Sequence, residues 1–135
     1  MSKSKIEFNR NVLAVMPTNR LKVEYLDEAW GFIESQPLSV GRKIVENVSR
    51  IEGGERNAEL FSKLEWTEIW EFRTLYNKTK YRLFAFWDTE IDTLVIATHG
   101  IVKKTQKTPK KEIAKAERIR KEYFKEKERE KIWGK

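Results

Sequence analysis

The chain has 135 residues, no cysteine, one histidine and a formal net charge of +7. That length suits one domain with a modest core, and the missing cysteines remove disulfides, thiolate nucleophiles and Cys-ligated metals together, as fits a cytoplasmic location. With one histidine and no carboxylate cluster, neither metal nor other cofactor is expected; no apolar run reaches membrane-span length, and the first ten residues lack the apolar core of a signal peptide.

Residues 1–20 read as an N-terminal extension with a short apolar run from Val12 to Met16. Alternation of Leu21, Val23 and Tyr25 with Lys22 and Glu24 predicts a short strand. Asp27 is a candidate N-cap for a helix carrying Ala29, Trp30 and Ile33 on one face, and Pro37 ends it. Ser39 is a candidate cap for a second helix with the stripe Val40, Ile44, Val45, Val48 and Ile51, closed at Gly53-Gly54. The pair reads as a helical hairpin. A helical turn is expected around Ala58 to Lys63. Three strands are then predicted at 67–76, 80–87 and 93–99, ending at Asn77, Asp88 and Gly100. Their short connections make an antiparallel meander the default, with helices over one face. Thr108-Pro109 is a helix start, with Thr as N-cap and Pro at the first helical position. The helix runs to about Lys131 on a thin stripe of Ile113, Ala116, Ile119 or Arg120, and Tyr123; residues 132–135 read as a tail. The fold class is therefore α+β, in the order β-αα-β-β-β-α over residues 21–131.

The charge is unevenly placed. Residues 1–102 carry 14 Lys/Arg against 15 Asp/Glu, whereas residues 103–135 carry 14 against 6. A neutral body with one basic element is the pattern of a protein with a phosphate-rich partner, although lysine runs are commonly just solvated faces. Lys107, Lys110 and Lys111 flank the positive end of a helix dipole, where cations are locally unfavourable, and this favours a role in binding. Glu71 and Arg73 alternate on one face of their strand. They form either an ordinary polar sheet face or a phosphate-binding arginine with an orienting carboxylate. Arg82 lies in a run too apolar to need a charge, but strand register, and hence its face, is open. His99 has both a structural and a catalytic reading, the latter because it stands four residues before the Lys103-Lys104 pair begins. If the strand continues past Gly100, those two lysines point opposite ways.

The segments IWEFR (69–73), KYRLFAFW (80–87), HGIVKKTQKTPKKEI (99–113) and AERIRKEY (116–123) together resemble the HigB-like, phage-derived branch of the RelE superfamily, toxins of bacterial type II toxin–antitoxin pairs. The resemblance covers about residues 20–125, and HGIVKKTQKTP is its most specific stretch. It implies a compact RelE-like fold, cleavage of mRNA on the ribosome in the A site, and neutralisation by a cognate helix-turn-helix antitoxin. Arg73 stands at the position of the family's arginine. Lys103, Lys104, Lys107 and Pro109 match its K-K-x-x-K-x-P run, and His99 its histidine-glycine pair. The chain departs from the pattern at Ile101, where an aromatic residue is common, and in the length of residues 1–20.

The expected activity is thus a metal-free endoribonuclease that uses the substrate 2′-OH as nucleophile, with Arg73, His99, Lys103 and Lys104 as catalytic candidates and Arg82, Lys107, Lys110 and Lys111 as RNA-phosphate ligands. Such a reaction needs a base for the 2′-OH, cations around the phosphoryl oxygens and an acid for the leaving 5′-oxygen. A lysine of lowered pKa can take a proton role. The alternatives are a ParE-like toxin that inhibits gyrase without cutting RNA, and an inactive nucleic-acid-binding regulatory module.

Overall fold

The computed structural model describes residues 20–134; the expected N-terminal extension, apart from Arg20, lies outside them. The elements are β1 (Lys22–Tyr25), α1 (Asp27–Ser35), α2 (Leu38–Glu52), β2 (Phe61–Lys63), β3 (Trp70–Tyr76), β4 (Thr79–Trp87), β5 (Leu94–Lys103) and α3 (Lys110–Trp133). They form an α+β domain. The five strands lie in the order β1-β5-β4-β3-β2. Every neighbouring pair is antiparallel except β1 with β5, so the sheet is mixed rather than a pure meander. Short hairpin connections dictate antiparallel pairing only between strands they join, and β1 is separated from β5 by most of the domain.

Strand alternation divides the buried side chains between two faces. On one face Phe72, Leu83, Ala85, Val95 and Ala97 pack against Ala29 and Ile33 of α1 and Val40, Ile44, Val48 and Ile51 of α2. On the other, Ile69, Phe84, Phe86 and Ile96 meet Ile113, Ala116, Tyr123 and Phe124 of α3. Helices therefore cover both faces, not one. The central strand β4 is buried over six consecutive residues, Tyr81 to Phe86, as a strand sandwiched between two layers should be.

Three local features depart from the expected elements. The region around Ala58 to Lys63 is a turn leading into the edge strand β2, whose Phe61 ring stacks on Phe72 at 4.2 Å and on Trp70 at 4.7 Å. None of the three helices has a side-chain cap; Thr108, the expected cap of α3, instead donates its hydroxyl toward Glu71 at 3.4 Å. β5 also runs through Gly100 to Lys103. Gly100 is a place of close approach, because a Cβ there would lie 2.3 Å from the Phe32 ring of α1, and it does not stop the strand.

The outer half of α3 is held by Asp88, in the β4–β5 connection. This buried carboxylate accepts hydrogen bonds from the Tyr123 hydroxyl at 2.7 Å, Lys127 Nζ at 2.6 Å, and the backbone N–H groups of Glu90 at 2.7 Å and Ile91 at 3.0 Å. Burial alone would raise its pKa, but these four donors hold it at about 2. No helix among the described residues is long and apolar enough to cross a membrane.

Candidate active site

The face of the sheet beneath α3 is apolar at one end and cationic at the other. Residues directly opposite in an antiparallel ladder share a face. The register pairs Glu71 with Phe84 and Phe84 with His99, then Arg73 with Arg82 and Arg82 with Ile101, and finally Lys80 with Lys103. Glu71, Arg73, Lys80, Arg82, His99 and Lys103 thus all project from the same side. α3 covers the Phe84–His99 row; beyond it Arg82 is buried, Arg73 and Lys103 are half-buried and Lys80 is exposed.

Glu71 organises the cationic end. Its carboxylate is buried and lies 3.5 Å from Arg82 Nε and 3.6 Å from Arg73 Nε. Arg82 is 5 % exposed. Its Nη1 donates to the Tyr81 carbonyl at 3.1 Å, while its Nε is buried without a hydrogen bond. Burial lowers the pKa of this guanidinium, Glu71 counteracts the effect and Arg73 adds to it; an arginine nonetheless stays charged. Arg73 is the accessible member, with over a third of its side chain exposed. Next to them, the Lys103 ammonium is pushed down in pKa by burial and then by Arg82, with Arg73 and Lys80 acting the same way against the opposing pull of Glu71. One carboxylate therefore pairs with two arginines, Lys103 has none within ion-pair distance among the described residues, and the cluster retains uncompensated positive charge.

His99 is elsewhere. It is 2 % exposed, stacked on the Phe84 ring at 4.9 Å, with Nδ1 2.9 Å from Thr98 Oγ1 and Nε2 3.1 Å from Glu112 Oε1 in the first turn of α3. Burial lowers its pKa, and Lys115 lowers it further, against the opposing effects of Glu112 and Glu28. A neutral ring that donates from Nε2 to Glu112 accepts at Nδ1 from the Thr98 hydroxyl, whose single proton is shared with the Phe84 carbonyl 3.3 Å away. Its face is set by a β-bulge: the register steps from Phe84–His99 to Ala85–Ala97, so Thr98 is the extra residue and His99 turns toward α3.

Of the residues singled out in the sequence, the fold gathers Glu71, Arg73, Arg82 and Lys103 into one cluster. Lys104 follows at the strand end and borders a cavity of about 430 Å³ with Lys78, Lys80 and Lys103. Lys107 lies in the exposed loop before α3, and Lys110 and Lys111 are exposed on its first turn; none of the three forms an ion pair among the described residues. His99 is kept apart beneath α3. Sequence reasoning missed Lys80, Thr108 and Glu112. Lys80 borders the predicted hairpin but needs the register to reach Lys103, and Thr108 and Glu112 depend on where α3 crosses the sheet. Among the described residues there is no group of three or more His, Cys, Asp or Glu side chains able to hold a metal ion.

No curated protein matches the chain. A solved structure of the toxin–antitoxin complex RelBE2 from Mycobacterium tuberculosis contains a similar chain, with a TM-score of 0.42 and 17 % identity, covering 62 % of this chain and 99 % of that one. The model of the family described as phage derived protein Gp49-like matches residues 31–121, a stretch that runs from α1 into α3 and includes every residue of the Glu71 cluster. The chain belongs to the Gp49-like family of phage-derived proteins.

Proposed function

We propose that this protein is the toxin of a type II toxin–antitoxin pair, of the HigB-like branch, and that it acts in the cytoplasm as a ribosome-dependent mRNA endonuclease. The family match and the sequence resemblance support the class. The observation that carries the chemistry is the pair of accessible Arg73 and buried Arg82 around Glu71, beside Lys103, whose pKa is lowered by burial and by Arg82.

RNA cleavage without a metal proceeds by attack of the 2′-oxygen on the adjacent phosphorus. The O2′–P bond forms, the P–O5′ bond breaks, and a 2′,3′-cyclic phosphate and a free 5′-hydroxyl result. In this reading neutral Lys103 takes the 2′-OH proton, since neighbouring cations and burial raise its neutral fraction. Arg73 binds the non-bridging phosphoryl oxygens and stabilises the charge that grows there. Glu71 holds Arg73 and Arg82 in place and pins Thr108 at the entry to α3. Lys104 supplies the proton to the departing 5′-oxygen. Lys107, Lys110 and Lys111, exposed ahead of and within the first turn of α3, face ribosomal RNA. His99 is a positioning residue that ties β5 to α3 through Glu112. A cognate helix-turn-helix antitoxin neutralises the toxin.

The test is primer extension on mRNA after induction in cells lacking the antitoxin, together with cleavage of ribosome-bound mRNA in vitro. New 5′ ends within A-site codons, persisting under chelation that leaves ribosomes intact, are expected. Growth arrest with intact mRNA and lost DNA supercoiling would assign the protein to gyrase inhibition instead.

A further inference from the structure

The Arg73–Arg82 row is not the only place where the sheet sets like charges opposite one another. Lys80 and Lys103 are direct cross-strand partners, two residues further along β4 and β5. The second row therefore lies one side-chain repeat, about 6.8 Å, from the first. Like charges directly opposite are unfavourable in a ladder, and here two such rows follow each other on one face. They differ in compensation. Glu71 serves the arginine row, whereas Lys78, Lys80, Lys103 and Lys104 have no carboxylate within ion-pair distance among the described residues. These four lysines border the same open cavity of about 430 Å³ at the end of the sheet.

Lys78 adds an independent observation. The β3–β4 turn has two residues of positive φ, Asn77 at 49° and Lys78 at 68°. Asparagine is at home in such a position, but the second site of this hairpin turn ordinarily takes glycine. Here the left-handed position carries a lysine, against the local backbone preference, and that lysine lines the cavity.

We propose that Lys78 and Lys80 form a second phosphate subsite that holds the phosphodiester next to the one bound at the Arg73–Arg82 row. The repeat between rows is comparable with the step between successive phosphates of an extended strand, so the pair of rows recognises a dinucleotide step of single-stranded RNA. This deepens the nuclease reading and rests on it.

The full-length protein is titrated with a 2′-O-methyl uridine trimer, which cannot be cleaved, and with trimers in which either phosphodiester is replaced by a neutral methylphosphonate. The two-phosphate trimer is expected to bind about tenfold more tightly than the one-phosphate trimers, as one additional charge-assisted hydrogen bond would give. The Lys78→Gly, Lys80→Ala double variant, in which glycine also relieves the turn, is expected to melt like the parent. It should bind all trimers alike at the one-phosphate level, with the salt slope reduced by about 0.7 for each phosphate no longer neutralised. Equal binding of all trimers by the parent, or retention of the gain by the double variant, would overturn the subsite while leaving the nuclease reading intact. Equal competition by an acidic peptide of matched charge would assign these lysines to a protein partner and overturn it too. Failure of every trimer to bind would overturn the subsite, while the nuclease reading, which requires the ribosome, stands or falls on cleavage of ribosome-bound mRNA.

Discussion

Glu71 and Arg73 touch one another, yet replacing them should have opposite consequences. Glu71→Ala removes the carboxylate beside Arg82, a guanidinium 5 % exposed with an unbonded Nε and a second arginine across the ladder. Stripping one partner from a buried ion pair costs about 3–5 kcal/mol, mostly from the charge left behind. For a domain of this size that is a fall of roughly 10 °C or more in melting temperature. Arg73→Ala removes a side chain that is over a third exposed and lies 3.6 Å from its partner, so it should cost about 0–1 kcal/mol of stability. Its effect is on the reaction: loss of one preorganised charge at a phosphoryl transition state costs about 3–4 kcal/mol of barrier, or 10²–10³-fold in rate. A third variant, Glu71→Leu with Arg82→Met, replaces the buried pair by apolar side chains and should recover most of the stability lost by Glu71→Ala. Thermal or urea melts are run beside cleavage of ribosome-bound mRNA. If Glu71→Ala melts with the parent, Glu71 does not neutralise a buried Arg82; if Arg73→Ala cleaves at the parental rate, the cationic row is not the reaction site.

Three more predictions concern the scaffold. Because the folded-state pKa of Asp88 is depressed to about 2, its contribution is fully present above about pH 4 and is lost as pH falls toward 2. It amounts to at most about 2–3 kcal/mol, and Asp88→Asn should flatten that part of the pH–stability curve; an unchanged acid limb would show that the clasp on Tyr123 and Lys127 is idle. His99→Ala should lower the melting temperature, through the void under Phe84 and the unpaired Glu112, while the pH profile of cleavage by the folded fraction keeps its shape. Loss of one limb of that profile would make His99 a proton carrier after all. Gly100→Ala should destabilise by roughly 1–3 kcal/mol, because its methyl meets the Phe32 ring. Phe32→Ala in the same chain should relieve part of that cost, and an additive double variant would refute the contact.

Local chemistry accounts for much of this molecule. The period-two runs around Trp70 to Tyr76 and Tyr81 to Trp87, the stripe from Val40 to Ile51, Pro37 between two helices and Thr108-Pro109 before a third are each governed by neighbours within a few positions, so they are legible without a fold. Arg73 and Lys103 stand out by the same local logic, as charges on or at the end of strands. What tertiary structure decided is how these pieces meet. Register alone sets Arg82 opposite Arg73 and Lys80 opposite Lys103, because a one-residue slip would have sent each to the other face. The bulge at Thr98 turns His99 beneath α3, where strict alternation would have placed it with Val95 and Ala97. The crossing of α3 gives Glu112 to His99 and Thr108 to Glu71, and β1 finds β5 in parallel across the length of the domain. Each of these depends on a strand register, a bulge or a helix crossing, which the local pattern of residue types leaves open.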